Sequence, residues 1–235
     1  MNARDVEPIV FLPGMMCDAR LFAPQLARFS SDHVICVAPL GIADRMEDVA
    51  ASTLADCPAR FALAGLSMGG IVAMEMIRQQ PDRVTRLALL NTNHLRDTDE
   101  RRAIRARQIE DVRGGRLSRV MRDEMKPNYL GSYCDRDAIL DLCMAMALDL
   151  GPDVFRLQSM ALTRRRDQTD TLRRWRKPTL LLCGAEDSLC PPERHDAMAD
   201  LIDDAERVTI DGAGHLTTLE APDAVNDALG RWLGR

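Results

Sequence analysis

Residues 61–80 read FALAGLSMGGIVAMEMIRQQ, an apolar run, a glycine-rich turn and an amphipathic segment in direct succession. The turn contains the pattern G-x-S-x-G at residues 65–69, with Ser67 at its centre. A strand that turns this sharply into a helix crowds its own backbone, so residues without a Cβ are needed beside the central one. Such a turn exposes the serine hydroxyl at the helix N-terminus, which favours developing negative charge. The stretch therefore predicts a nucleophilic Ser67, and the alternative is an ordinary serine in a glycine-rich turn.

Apolar runs and helical segments alternate on both sides of this turn. The runs predict strands near residues 8–12, 33–37, 61–64, 84–90, 179–183 and 207–210, with helices near 21–29, 44–57, 68–80, 192–202 and 222–233. Six strands joined by crossover helices predict an α/β protein with a doubly wound, mostly parallel sheet. Ligands of such sheets bind beyond the carboxyl ends of the strands, so the residues that directly follow strands are the candidates for a site.

The alternation stops between residues 91 and 177, where no convincing strand occurs. Helical runs lie near residues 100–112, 117–124, 137–150 and 154–164, separated by glycine and proline residues. A structureless loop of that length is implausible inside a compact domain. We therefore predict a helical cap at residues 95–175, inserted before the fifth strand into a core formed by residues 1–94 and 176–235.

A serine hydroxyl becomes a nucleophile when a base lies within hydrogen-bond reach and a third group orients that base. Among the four histidines, His215 follows the last strand in a loop whose two glycines let it reach inward, so it is the predicted base. His94 follows the fourth strand and is a second candidate for the base or for the pocket lining. His33 opens a strand at the opposite edge, and His195 lies in a helix between charged residues and is expected at the surface.

The acid and the oxyanion donors are also expected after strands. Asp187 follows the fifth strand and is the predicted acid, with Glu186 as the fallback; a helix cap is the alternative role for Asp187. The backbone N–H groups of Met15, after the first strand, and of Met68, after the nucleophile, are the predicted oxyanion donors. The candidates for the substrate pocket are Gly14, Met16, His94 and Leu216.

The chain order Ser67, Asp187, His215 resembles that of the α/β-hydrolase superfamily. The resemblance also covers residues 11–14, 65–70, 184–187 and 212–215, and it points to the branch of small esterases, enol-lactonases and carbon–carbon bond hydrolases. It implies a helical cap that closes over the catalytic edge and a core that lacks the first two family strands. The bare sheet edge is then expected to be covered by the N-terminal residues or by the second subunit of a homodimer. Family members often have His-Gly in the oxyanion loop, where this chain has Pro13-Gly14.

These residues best support acyl transfer to water through an acyl-enzyme, with no cofactor and no metal. The predicted function is hydrolysis of a small-molecule carboxylic ester or lactone. The enzymatic alternative is a carbon–carbon bond hydrolase of a diketone-like substrate, because the Gly-x-Ser-Met-Gly-Gly turn also occurs there. The alternative from another class is a low-turnover small-molecule binding or receptor protein on the same scaffold.

The composition of the chain limits the classes of partner that it can bind. A net charge of -5 argues against nucleic acid or an anionic membrane surface as the main partner. The chain shows no leader-like N-terminus and no apolar run of roughly 18 residues, so we expect a cytoplasmic protein. The seven cysteines form no C-x-x-C pair, which predicts reduced, mostly buried thiols.

Basic residues are concentrated in the predicted cap. Residues 96–174 contain 17 Arg and Lys against 14 Asp and Glu, a net of +3, and the rest of the chain carries -8. Solvated helix faces are the simpler explanation. The alternative hypothesis is that an arginine, from the clusters at 101–102 or 164–166, binds a substrate carboxylate.

Overall fold

The computed structural model describes residues 7–40, 43–132 and 136–235, and in these residues six parallel strands form one sheet in the order β2-β1-β3-β4-β5-β6. This confirms the predicted α/β fold. The strands are β1 (Ile9–Leu12), β2 (Ile35–Val37), β3 (Phe61–Leu66), β4 (Val84–Leu90), β5 (Thr179–Gly184) and β6 (Ala205–Ile210).

Helices cover both faces of the sheet. In chain order they are α1 (Ala23–Phe29), α2 (Met46–Asp56), α3 (Met68–Gln79), α4 (Asp99–Arg113), α5 (Leu117–Arg119), α6 (Arg136–Arg164), α7 (Thr169–Arg174), α8 (Pro192–Ala199), α9 (Thr217–Glu220) and α10 (Pro222–Leu233). Short 3₁₀ turns occupy Ala19–Phe22, Pro81–Arg83 and Lys126–Asn128, and a π-helical turn occupies Val120–Met125. No helix in the described residues is both long enough and apolar enough to cross a membrane.

The central strands are apolar throughout because helices bury them from both sides. Successive side chains of a strand point to opposite faces, so Ile9 and Phe11 join one core cluster while Val10 and Leu12 join the other. The first cluster also contains the fully buried Trp232 of α10. This double-sided core fixes the strand ends from which the site is built.

Helices α4 to α7, which lie between β4 and β5, are called the helical insertion here. The two helices predicted at 137–150 and 154–164 follow each other directly as α6, which is broken at Gly151, where φ is 81°. The helical run predicted at 117–124 begins as α-helix at Leu117–Arg119 and continues as the π-helical turn. The predicted division into core and cap domains stays a prediction.

The strand order reverses at β1, which pairs with β2 on one side and β3 on the other. Connections therefore leave this point in opposite directions, and a crevice opens beyond the carboxyl ends of β1 and β3. Gly14 follows β1, and Ser67 follows β3 directly. The topology thus places both loops at the edge where a ligand would bind.

Candidate active site

Ser67 lies at the turn from β3 into α3 with φ 55° and ψ −114°, a backbone conformation that is strained for a residue with a side chain. The flanking glycines permit the close approach of the surrounding backbone. A Cβ on Gly65 would lie 2.4 Å from the backbone of Gly69, and one on Gly69 would lie 2.0 Å from the Leu12 carbonyl oxygen. Close packing of the start of α3 against β3 explains Gly65, and its packing against the end of β1 explains Gly69.

Ser67, His215 and Asp187 form a continuous chain of hydrogen bonds. Ser67 Oγ lies 2.9 Å from His215 Nε2. On the other side of the ring, His215 Nδ1 lies 2.9 Å from Asp187 Oδ2 and 3.0 Å from Oδ1. The structure thus brings together three residues that are 120 and 28 positions apart in sequence. All three follow carboxyl ends of strands, as the topology requires.

Asp187 is buried and held as a carboxylate. Its Oδ1 accepts hydrogen bonds from the backbone N–H groups of Leu189 and Cys190, both at 2.9 Å. Its Oδ2 accepts one from Asn91 Nδ2 at 3.0 Å. Burial alone would raise the pKa of Asp187, but the adjacent His215 and these hydrogen bonds outweigh it and hold the pKa well below its usual value. A charged carboxylate therefore faces the His215 ring.

Two polar residues that the sequence patterns did not indicate fix the His215 loop. Asn91, directly after β4, donates to Asp187 and also to the Gly214 carbonyl oxygen at 3.0 Å. The Glu220 carboxylate accepts from the N–H groups of Gly214 and Leu216, on either side of His215, at 2.9 and 2.8 Å. The position of Asn91 after a buried strand was a usable signal. Glu220 gave none, because its contacts depend on a loop that only the fold defines.

The loop after β1 is held by the helical insertion. The backbone N–H of Met16, where φ is 57°, donates to Gln158 Oε1 of α6 at 2.8 Å, and Gln158 Nε2 donates to the Leu40 carbonyl oxygen at 2.7 Å. Within the described part of the chain, neither the Met15 nor the Met68 backbone N–H donates to another residue. Both predicted oxyanion donors are therefore free of protein acceptors there, and Met15 and Met68 both line the cavity beside Ser67.

A cavity of about 450 Å³ lies over Ser67, between the strand ends and the helical insertion. Gly14, Leu216 and His215 line it, as does Tyr129 of the insertion. Two of the predicted pocket residues, His94 and Met16, are absent from its wall.

Each of these two side chains is buried elsewhere. Met16 packs into the hydrophobic core. His94 turns away from the cavity, although its neighbours Asn93 and Leu95 line it. Burial lowers the pKa of His94. The geometry therefore leaves His215 as the histidine that contacts Ser67.

The prediction of a surface His195 is wrong, because the side chain is fully buried. Its Nε2 accepts the Thr92 backbone N–H at 3.3 Å, and burial lowers its pKa to about 4. The fallback acid Glu186 is exposed and accepts from Ser132 Oγ at 2.7 Å, so it does not replace Asp187 beside His215.

The described cysteines are all free, and four of the six are buried. Among them Cys190 lies close enough to Asp187 and His215 for the three ligand atoms to be within 4.8 Å of one another. Burial raises the pKa of the Cys190 thiol to about 12, so it stays protonated at neutral pH. Since Asp187 and His215 are hydrogen bonded to each other, this arrangement favours proton transfer over metal coordination.

Comparisons with known proteins agree with this architecture. The sequence profile of the Alpha/beta hydrolase family matches residues 9–228. The pimeloyl-[acyl-carrier protein] methyl ester esterase of Xanthomonas campestris pv. campestris is 27% identical over 240 residues, which cover 96% of this chain and 94% of that protein.

Two solved structures are also similar. A thermophilic esterase from Thermogutta terrifontis, solved with malate bound, has a TM-score of 0.89 and 28% identity, over 97% of this chain and 89% of that one. The enol-lactonase from Burkholderia xenovorans LB400 has a TM-score of 0.85 and 21% identity, over 100% of this chain and 94% of that one, a likeness of fold.

Proposed function

Because this chain belongs to the alpha/beta hydrolase family and is a hydrolase of that superfamily, we propose that it cleaves a small carboxylic ester or lactone through an acyl-enzyme. The observation that carries the proposal is the unbroken hydrogen-bonded chain from Ser67 Oγ through His215 to the buried Asp187, at the floor of a cavity. A hydroxyl, an imidazole and a carboxylate in this order form the arrangement that activates serine in acyl transfer.

In the proposed mechanism, His215 Nε2 takes the proton of the Ser67 hydroxyl as Oγ attacks the substrate carbonyl. The backbone N–H groups of Met15 and Met68 then stabilise the negative charge on the carbonyl oxygen. Collapse of the tetrahedral intermediate expels the alkoxide, which takes the proton from His215. A water molecule, activated by the same ring, hydrolyses the acyl-enzyme and frees Ser67.

Asp187 orients the base in this mechanism. Its carboxylate lies against His215 Nδ1, which fixes the ring with Nε2 toward Ser67 and stabilises the imidazolium that forms during attack. The four neighbours that hydrogen bond to Asp187 keep it charged and immobile. The burial of this pair strengthens the electrostatic effect, because water does not screen it.

The names of the similar proteins support the proposed substrate class. They specify a methyl ester esterase, an esterase and an enol-lactonase. Ester and lactone cleavage share one reaction, since both attack an acyl carbon and expel an alkoxide. The same residues would therefore serve an open-chain or a cyclic ester.

The test is pre-steady-state hydrolysis of p-nitrophenyl acetate. The wild-type protein should release a burst of p-nitrophenol equal to the concentration of sites, followed by slower turnover. Ser67→Ala should abolish the burst and lower kcat by up to on the order of 10⁶. Ser30→Ala, at an exposed position after α1, is the matched control and should behave as the wild type. Turnover that survives in Ser67→Ala, or a wild-type protein without turnover, would contradict the proposal.

A further inference from the structure

The wall of the cavity over Ser67 is cationic, although the whole chain carries a net charge of -5. In the described residues, six arginines and two carboxylates line it, a net of +4. The arginines are Arg96, Arg101, Arg105, Arg107, Arg165 and Arg194. A cleft lined mostly by one sign of charge concentrates ligands of the opposite sign.

Within this wall, one carboxylate is shared by two arginines. Arg105 Nε donates to Asp97 Oδ2 at 2.7 Å, and Arg165 Nη2 lies 2.9 Å from Asp97 Oδ1. The side chains are 2% exposed for Asp97, 7% for Arg165 and 15% for Arg105. Two largely buried cations against one buried anion leave a net charge of +1 without a counter-ion in this cluster.

Such a charge is costly to bury. A buried ion loses its hydration, and without an equal opposite charge nearby the Coulombic attraction does not compensate for that loss. Burial lowers the pKa of Arg165 to about 10 even though Asp97 acts in the opposite direction. An anionic ligand that enters the cavity would balance the cluster, so the protein gains more from binding an anion here than at its surface.

The cluster also retains donors for such a ligand. Arg105 Nη1 donates only a long hydrogen bond, of 3.7 Å, to the Met15 sulfur among the described residues. The Arg165 Nε donates to the Leu95 carbonyl oxygen at 2.9 Å. The guanidinium of Arg105 thus lines the cavity beside the Met15 side chain. Its planar fork matches the two oxygens of a carboxylate, which it binds through parallel hydrogen bonds.

Other arginines of the clusters noted in the sequence are engaged elsewhere. Arg102 pairs with Asp99, Arg164 with Asp44 and Arg166 with Glu47. Of those two clusters, only Arg101 and Arg165 line the cavity. Arg101 forms no ion pair with the described residues and lies four positions before Arg105 on α4, hence on the same face.

We infer that the substrate carries a carboxylate besides its scissile ester or lactone, and that Arg105 and Arg165, oriented by Asp97, bind this carboxylate. The inference rests on the proposed function, because it names the substrate class of the same cavity. Arg101 at the mouth adds attraction for the anion. The fitting substrates are monoesters of dicarboxylic acids and lactones that bear an acid group.

The experiment compares mono-p-nitrophenyl glutarate, whose second carboxyl group is a free carboxylate, with p-nitrophenyl methyl glutarate, in which that group is a neutral methyl ester. The wild-type protein should prefer the charged ester in kcat/KM, and Arg105→Met should lower the ratio of the two kcat/KM values by about 10–100-fold, the loss expected for a charge-assisted hydrogen bond. Arg165→Met should lower it in the same direction. The matched control is Arg113→Met, an exposed residue of α4 that pairs with Glu110 outside the cavity, and the ratio should not change.

Binding separates this inference from the proposed function. Calorimetry with Ser67→Ala should detect glutarate, and the added Arg105→Met change should weaken its binding by a similar ~10–100-fold. Glutarate binding that depends on Arg105 in a protein that cleaves neither ester would refute the proposed function and support the carboxylate site. Equal turnover of both esters, an unchanged ratio in Arg105→Met, or binding of inorganic phosphate but not glutarate would overturn the carboxylate site. Circular dichroism and thermal unfolding establish that each variant is folded.

Discussion

Replacing Gln158 by leucine removes two buried hydrogen bonds at once and changes the side-chain volume little. Gln158 is fully buried on α6 and reaches down to the core, where it accepts the Met16 N–H and donates to the Leu40 carbonyl oxygen. A leucine side chain can do neither. The change therefore tests whether the helical insertion holds the loop after β1 in the shape that the proposed reaction needs.

The expected loss of stability follows from the two backbone groups that lose their hydrogen-bond partners. A buried donor or acceptor that loses its partner costs about 1–3 kcal/mol, so the Met16 N–H and the Leu40 carbonyl together should lower the free energy of unfolding by roughly 2–6 kcal/mol. Met16 also has a strained backbone, with φ 57°, which costs about 1–3 kcal/mol and persists only while its surroundings enforce it. The Gln158→Leu variant should therefore let the loop relax toward an unstrained conformation.

Relaxation of this loop should lower kcat more than it weakens substrate binding. Met15, the neighbour of Met16, supplies one of the two proposed oxyanion donors, and loss of one such donor costs about 10²–10³ in kcat. A partial displacement should lower kcat by about tenfold to hundredfold, with a much smaller change in KM, because the donor acts on charge that develops in the transition state.

The assay combines urea unfolding with steady-state hydrolysis of p-nitrophenyl acetate. Ser159→Ala is the matched control: Ser159 is the next residue of α6, is fully buried, and its Oγ has no hydrogen-bond partner in the described part of the chain. This control should leave stability and kcat close to the wild-type values. A Gln158→Leu protein with reduced stability and unchanged kcat would refute the coupling between α6 and the oxyanion loop, and so would an equal loss of kcat in Ser159→Ala.

Three further predictions concern the stability of the folded protein. His195 has its pKa lowered by burial from 6.5 to about 4, so the unfolded chain binds a proton between these values that the folded protein does not, and stability should fall by about 3 kcal/mol as the pH drops from 7 to 4. His195→Gln keeps an acceptor for the Thr92 N–H, and urea unfolding across this range should show a smaller loss; an identical pH dependence would contradict the assignment. Gly69→Ala should prevent stable folding, because its Cβ would meet the Leu12 carbonyl oxygen at 2.0 Å. By contrast, Gly230→Ala, at an exposed position of α10 with open space where the Cβ would lie, should raise the free energy of unfolding by about 0.5–1 kcal/mol. Thermal unfolding compares the two variants, and a stable Gly69→Ala protein would refute the steric argument.

The sheet was predictable because its signals are local. A strand buried on both faces needs a continuous apolar run, and β1, β3 and β5 each have one. The residues now found beside each other at the site were predictable for a related reason. In a parallel sheet the carboxyl ends of the strands share one edge, so a serine, an acid and a histidine that each follow a strand are brought close by topology alone.

The residues that sequence analysis missed depend on contacts between distant parts of the chain. Gln158 lies 142 positions from Met16, and Asn91 lies 96 positions from Asp187. Each is a polar residue, and the sequence around it does not distinguish a buried polar side chain from a solvent-exposed one. The prediction that His195 lies at the surface failed for a different reason. Its charged neighbours suggested the surface, yet it faces the same side of α8 as Met198, three residues later, which is fully buried.

The backbone strain in this protein is concentrated at the proposed site. In the described chain, the residues other than glycine with positive φ are Met16, Ser67 and Asn91, and each lies within four residues of the end of a strand. Each also donates its backbone N–H to a distant group: Met16 to Gln158, Ser67 to the Leu90 carbonyl and Asn91 to the Leu182 carbonyl. Strained conformations persist only where the surrounding structure enforces them. Contacts with the sheet therefore hold the proposed nucleophile Ser67 and Asn91, which donates to Asp187. The helical insertion instead holds Met16 in the loop after β1. A movement of α6 would thus disturb Met15, the proposed oxyanion donor on this loop, before it disturbed Ser67 and the second proposed donor, Met68, which follow β3 directly.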